Sequence, residues 1–300
     1  MIRIDFSSKH HILLEDEHGL RVPMDEPYFR AVSIAPDTWQ VLSDGDYSYV
    51  VAGEDEAVVI DSGYGAGDIR AFCQTLTEKP IHNILNTHDH FDHTAGNAYF
   101  DCAFMAAETV PLATRPFPSF AGIDFPRYYP VKILSDGDVY SLKGREILAF
   151  KIPDHAVGSL AFLDRKARAL FSGDEFMPHG KFLNGSVQRW AGYLERLMDY
   201  RGEFDTLWAG GGRMDADYVD RYLACARLIL DGCEGESAKP MPFPNFSQTD
   251  EAGRTVWKRR LPHPGDGPKP RPEREPFLRK VEYAGVSTVY DLRLVFEGAI

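Results

Sequence analysis

Apolar and polar positions alternate with two different periods along this chain. Between residues 39 and 63, short apolar runs are cut by Gly/Asp turns. Trp39-Gln40-Val41-Leu42 meets Ser43-Asp44-Gly45-Asp46, residues 47–52 meet Gly53-Glu54-Asp55-Glu56, and Ala57-Val58-Val59-Ile60 runs into Asp61-Ser62-Gly63. Runs of this kind predict an antiparallel meander. A helix over about 68–77 and a buried strand at 81–85 follow, and further strands are expected at 102–106, 131–134, 138–142, 146–151, 160–163, 169–171 and 204–208. Three-and-four spacing then marks two helices. The first carries Val187, Trp190, Ala191, Leu194, Leu197 and Met198 behind a Ser186 cap; the second carries Tyr218, Val219, Tyr222, Leu223, Ala226, Ile229 and Leu230 and stops at Gly232.

Other stretches carry weaker patterns. Residues 1–38 give few signals. Residues 111–130 hold five prolines and many aromatics, which predicts an ordered loop that either walls a pocket or covers core. Residues 239–276 contain nine of the chain's 20 prolines, so an extended arm is expected there. A final hairpin is expected from 281–283 and 287–296 around Gly285. The division that follows is a main domain over 1–236, with the arm and hairpin of 237–300 packed on it or on a second subunit, which leaves a homodimer open.

Composition narrows the class. An apolar fraction of 44% can supply a core for a 300-residue chain. A formal charge of −12 argues against nucleic acid and against an anionic membrane surface as partners. No apolar run approaches the roughly 20 residues of a membrane-spanning helix, and residues 1–17 lack a signal-peptide core. Cys73, Cys102, Cys225 and Cys233 form no C-x-x-C pair and read as small core residues, so a reducing cytoplasm is the expected location.

The densest chemistry lies at Thr87-His88-Asp89-His90-Phe91-Asp92-His93. His88 and His90, two apart, point the same way while extended geometry lasts. Asp92 and His93 fall on the turn into a helix expected to run through Asn97. This spacing suits one or two metal ions at a strand end. A polar turn rich in histidine by chance is the competing reading. His155, Asp174 and the strand-end Asp61 could converge on the same point. Gly63-Tyr64-Gly65-Ala66-Gly67 invites a dinucleotide site, but Asp68 stands where its third glycine belongs.

In this order, the motifs resemble the metallo-β-lactamase-fold hydrolases, a superfamily that includes glyoxalase II and lactonases. Asp61-Ser62-Gly63, the 87–93 run, Asp154 to Ser159 and Gly173-Asp174 carry the resemblance, over about residues 39–231. It implies an αββα sandwich of two mixed sheets with outer helices. It implies that His88, His90 and His155 hold a first ion, Asp92 and His93 a second, and that Asp174 bridges them. Asp61 and Thr87 would steady the ligand imidazoles. The last family ligand, a histidine in G-H-G, is Gly211 here. His179, five residues past Asp174, could fill that place, as could His263 in the arm; a solvated loop position competes for each. Arg213 is a candidate to bind an anionic substrate group, against a plain surface charge.

The activity implied is hydrolysis of a small acyl substrate, a thioester, lactone or related ester, by hydroxide on Zn²⁺, with Asp92 orienting it and relaying its proton. One or two ions are implied, with iron or manganese as alternatives to zinc. A competing reading is a mononuclear iron dioxygenase acting on a sulfur compound through His88, His155 and Asp174. A third is a non-catalytic metal-binding member, suggested by Gly211.

Overall fold

The computed structural model describes residues 12–15, 21–23, 29–43, 46–63, 68–114, 128–178, 180–210, 212–239, 247–249, 251–252, 255–258 and 272–298. Among them, seven strands form a first sheet in the order Phe29–Ala35, Thr38–Ser43, Asp46–Ala52, Ala57–Ile60, Ile81–Leu85, Cys102–Met105 and Val131–Ile133. The first four are antiparallel, as the Gly/Asp turns require. The remaining pairings are parallel, each made by a crossover that returns the chain to the same sheet end, the first of them containing the helix Ile69–Gln74. A second sheet runs Val139–Ser141, Glu146–Lys151, Leu160–Asp164, Ala169–Gly173, Thr206–Ala209 and Gly212–Asp215.

Period-two alternation sorts each strand between layers. Tyr49, Val51, Val58 and Ile60 meet Ile147, Ala149, Phe162 and Phe171 in a core between the sheets. Their neighbours Val50, Ala52, Val59 and Ile84 face outward onto Ile69 and Cys73. On the opposite outer face, Leu148, Phe150, Leu163 and Leu170 pack under the helices Val187–Met198 and Asp217–Leu230. The result is the helix–sheet–sheet–helix sandwich expected from the motif order. Arg145, 2% exposed, cross-links the two sheets. Its guanidinium pairs with Asp164 at 2.9 Å and donates to the carbonyls of Asp37 and Ala52 at 3.0 Å each.

Three expectations are corrected. The segment 1–38 is not featureless: Phe29–Ala35 forms the edge of the first sheet, its signal blurred because one face stays wet. The proline-rich arm contains strands at Ser247–Thr249 and Thr255–Lys258, both inside its proline-free stretch, and Thr255–Lys258 pairs with Ile12–Glu15. The terminal hairpin is Leu278–Tyr283 with Val286–Asp291. It ends before 296 because the Asp291 side chain accepts from Arg293 N and starts a 3-10 turn at Leu292–Leu294. Val281, Val286 and Tyr290 of this hairpin share a core with Tyr222, Cys225 and Ile229. Residues 115–127 of the predicted wall loop, and most of the arm including His263, lie outside the described residues.

Candidate metal centre

Strand ends from both sheets meet at one edge. The parallel strands Ala57–Ile60 and Ile81–Leu85 deliver Asp61 and the 87–93 run there. The parallel strands Ala169–Gly173 and Thr206–Ala209 deliver Asp174 and Gly210, and the loop after Glu146–Lys151 delivers His155. Thr87 O accepts the Leu160 N–H at 2.7 Å, tying the sheets together beside the site. His90 is still extended (φ −63°, ψ 148°) as the N-cap of the helix Phe91–Thr94. The α-helix is shorter than expected, ending at Thr94, and a 3-10 turn at Asn97–Tyr99 follows.

Donor atoms of His88, His90 and His155 lie within 4.8 Å of one another, as do those of His88, His93 and Asp174. His90 Nδ1 and His155 Nε2 face each other at 2.9 Å. A tetrahedral ion with bonds of about 2.0–2.1 Å would set such nitrogens roughly 3.3 Å apart, so the spacing is of the right order. Asp174 faces both groups: one carboxylate oxygen is 3.6 Å from His155 Nε2 and the other 3.6 Å from His93 Nε2.

Asp61 sets the tautomers. Its carboxylate accepts from Thr87 N at 2.8 Å, Thr87 Oγ1 at 2.7 Å and His93 Nδ1 at 2.8 Å. Thr87 Oγ1 spends its proton on Asp61, so it accepts the Nδ1–H of His88 at 3.0 Å. Both rings then turn Nε2 inward as the atom that can coordinate once it carries no proton. These two atoms are buried and have no hydrogen-bond partner among the described residues, nor has Asp174 Oδ1. Buried lone pairs left so are costly unless they bind an ion. Beneath the turn, Asn86 Nδ2 donates to His93 O, and Ser62 Oγ and Asn86 both bond Asn97.

The electrostatics divide the cluster. Burial, helped by the neighbouring imidazoles, holds His88 well below the ordinary histidine range, and burial with His90 does the same to His155. Both therefore stay neutral, which is the ligand form. Burial also disfavours the charged form of His93, but the carboxylates of Asp61, Asp174 and Asp92 outweigh it and raise its pKa well above normal. Burial opposes ionisation of Asp174 as well, yet the imidazoles of His93, His155 and His88 win and hold it well below the carboxylate range. The Asp92 side of the site is thus a field that favours cations.

The His155 loop rests on a buried ion network. Glu175 accepts the N–H groups of Asp154 and His155 at 3.0 and 2.7 Å. Lys181, 3% exposed, bridges Glu175 at 2.7 Å and Asp154 at 3.1 Å. Burial alone would lower the Lys181 pKa; Glu175 and Asp154 overcome it and raise it. Asn184 Nδ2 donates to the carbonyls of Asp154 and His155. Sequence reasoning passed over Glu175 and Lys181, though a Glu directly after Asp174 and a Lys amid apolar residues were visible.

His88, His90, Asp92, His93, His155 and Asp174 are all at this edge. His179 and Gly211 lie outside the described residues. Arg213 sits on the edge strand Gly212–Asp215, about half exposed and paired with Asp215 at 2.9 Å. Two further residues join the site. Gly210 leaves no room for a side chain: a Cβ there would stand 1.8 Å from Asp174 Oδ1. Asp46 groups with Asp92 and His93, all buried, with ligand atoms within 4.8 Å of one another. Of the cysteines, Cys73 and Cys225 are buried in core, and Cys102 and Cys233 are partly exposed; all four are free thiols. No helix among the described residues is long and apolar enough to cross a membrane.

The family profile described as "Metallo-beta-lactamase superfamily" matches residues 44–223. The human acyl-coenzyme A thioesterase MBLAC2 is 28% identical over 191 residues, covering 53% of this chain and 66% of that protein. An atrochrysone carboxyl ACP thioesterase of Aspergillus fumigatus is 29% identical over 148 residues, covering 47% of this chain and 43% of that protein. The match therefore spans less than two thirds of either relative's own length. Among solved structures, a metallo-β-lactamase from Pontibacter korlensis superposes with a TM-score of 0.53 at 16% identity, over 66% of this chain and 99% of that one. The sec-alkylsulfatase Pisa1 from a Pseudomonas species gives 0.54 at 17% identity, over 66% of this chain and 41% of that one. These two likenesses speak to the fold alone.

Proposed function

This chain belongs to the metallo-β-lactamase superfamily, and from that premise we propose that it hydrolyses a small acyl thioester at a metal centre on the shared sheet edge. The observation that carries the proposal is the convergence of the imidazoles His88, His90 and His155 with Asp92, His93 and Asp174 in one largely buried cluster. The thioester class is favoured over lactones because the two thioesterase relatives act on coenzyme A and carrier-protein esters, as their names state. His88, His90 and His155 would hold the first ion, Asp92 and His93 the second, with Asp174 between them. A divalent ion there would supply Lewis acidity, polarising a carbonyl oxygen and lowering the pKa of a bound water to near neutrality. Zinc suits the three-imidazole side.

The chain's own groups do the rest. Asp61 and Thr87 keep Nε2 of His88 and His93 aimed inward. The Asp92 carboxylate, 5% exposed, orients the attacking water, accepts its proton and delivers it to the leaving thiolate. The buried walls strengthen these interactions by keeping bulk water out.

A panel of acyl-coenzyme A, acyl-pantetheine, lactone and alkyl-ester substrates tests the proposal, with thiol release and oxygen uptake followed in parallel. Thiol release from the thioesters, lost in His88→Ala and without oxygen uptake, is expected. Oxygen uptake with bound iron would overturn it in favour of the dioxygenase reading. Thiol release unchanged in His88→Ala would overturn it altogether.

A further inference from the structure

We propose that Asp46 is a ligand of the second metal site, where it takes the role an imidazole from position 211 cannot fill. The inference rests on the two-ion reading above and goes further by assigning a donor that the motif order does not contain. Asp46 opens the strand Asp46–Ala52, which pairs antiparallel with Ala57–Ile60 so that Tyr49 lies opposite Ile60. Continued outward, that register sets Asp46 level with the turn that follows Asp61. An antiparallel neighbour begins where its partner ends, so topology alone brings Asp46 to the edge where the ligands gather.

The side chain completes the placement. Asp46 is 3% exposed, and its carboxylate lies within 4.8 Å of donor atoms of both Asp92 and His93. A second feature points independently to a cation. His93 Nε2, in a side chain 1% exposed, is aimed at Asp92 and Asp174 from 3.9 and 3.6 Å, both beyond hydrogen-bond range. Because Nδ1 is committed to Asp61, Nε2 is the nitrogen that faces this space, and it coordinates an ion by giving up its proton.

The donor set predicts which ion binds. Asp46, Asp92, His93 and Asp174 offer three carboxylates and one imidazole. Carboxylate-rich sites suit harder ions such as Mn²⁺, whereas three imidazoles suit Zn²⁺. The two sites should therefore differ in preference, with zinc on His88, His90 and His155 and manganese accepted on the Asp46 side.

The test is metal stoichiometry of the full chain, dialysed against limiting zinc and then against excess Mn²⁺, read by elemental analysis and by the electron paramagnetic resonance of bound Mn²⁺. Wild type is expected to hold one zinc and one manganese. Asp46→Asn, nearly the same shape, should keep the zinc and lose the manganese signal, with at least about tenfold weaker Mn²⁺ binding. Retained manganese in Asp46→Asn would overturn the assignment and leave the hydrolase reading standing. No metal of either kind in wild type would remove the hydrolase reading itself. Should the variant fail to fold, anomalous diffraction from wild-type crystals soaked in Mn²⁺ decides the matter. A peak coordinated by the Asp46 carboxylate supports the assignment; a peak on Asp92, His93 and Asp174 without Asp46 refutes it.

Discussion

Asp61 allows backbone strain and buried hydrogen bonding to be weighed against each other. Its φ is +58°, a left-handed conformation that most L-residues avoid at a cost of about 1–2 kcal/mol and that aspartate tolerates better. Replacing it by glycine would recover at most about 1 kcal/mol. The same change deletes a carboxylate that is 2% exposed and accepts three hydrogen bonds. The Thr87 hydroxyl can rotate to another acceptor, but Thr87 N–H and His93 Nδ1–H would be left buried and unpaired, at about 1–3 kcal/mol each. Hydrogen bonding wins, and Asp61→Gly should lose about 3 kcal/mol net. At about 2–4 °C per kcal/mol for a domain of this order, Tm should fall by about 6–12 °C. Scanning calorimetry in excess chelator measures the fold without linkage from bound metal. Asp61→Asn keeps an acceptor for Thr87 N–H and tolerates the backbone, so its Tm should move less, while metal affinity drops about 10–100-fold because the His93 imidazole loses its anionic partner. A Tm for Asp61→Gly equal to or above wild type would refute the reasoning, since strain would then outweigh the hydrogen bonds.

Two other substitutions test the supports of the site. Lys181→Met leaves Glu175 and Asp154 buried without their shared cation and should cost about 3–5 kcal/mol in chemical denaturation; adding Glu175→Gln should restore part of that loss, and no restoration would mean that the charge balance is not what holds the loop. Gly210→Ala drives a methyl into Asp174 Oδ1, so it should lower bound metal and thiol release by at least about tenfold while far-ultraviolet circular dichroism stays unchanged; wild-type metal content in this variant would show that Asp174 can move away freely.

Local patterns recovered what local physics determines. The meander from Trp39 to Ile60, both long helices and the inner and outer faces of the central strands follow from short-range periodicity, and each is present. The grouping of His88, His90 and His155 was legible because motif order stood in for long-range contacts. Asp46 was not, since Ser43-Asp44-Gly45-Asp46 reads as a hairpin turn, and only sheet register reveals that its fourth residue faces the site. The Lys181, Glu175 and Asp154 network was hidden for a related reason: buried ion pairs between distant segments leave no periodic trace. Strands Ser247–Thr249 and Thr255–Lys258, which pair with each other, were hidden by the prolines on either side, and the second partner of Thr255–Lys258, Ile12–Glu15, lies more than two hundred residues away.

Thiol release from an acyl-coenzyme A, measured on the same sample before chelation, after chelation and after return of zinc, addresses the metal centre most directly. Turnover should vanish with the chelator and come back with the ion, and His155→Ala should show neither. Undiminished turnover by fully demetallated protein would mean that these clustered imidazoles serve some other purpose.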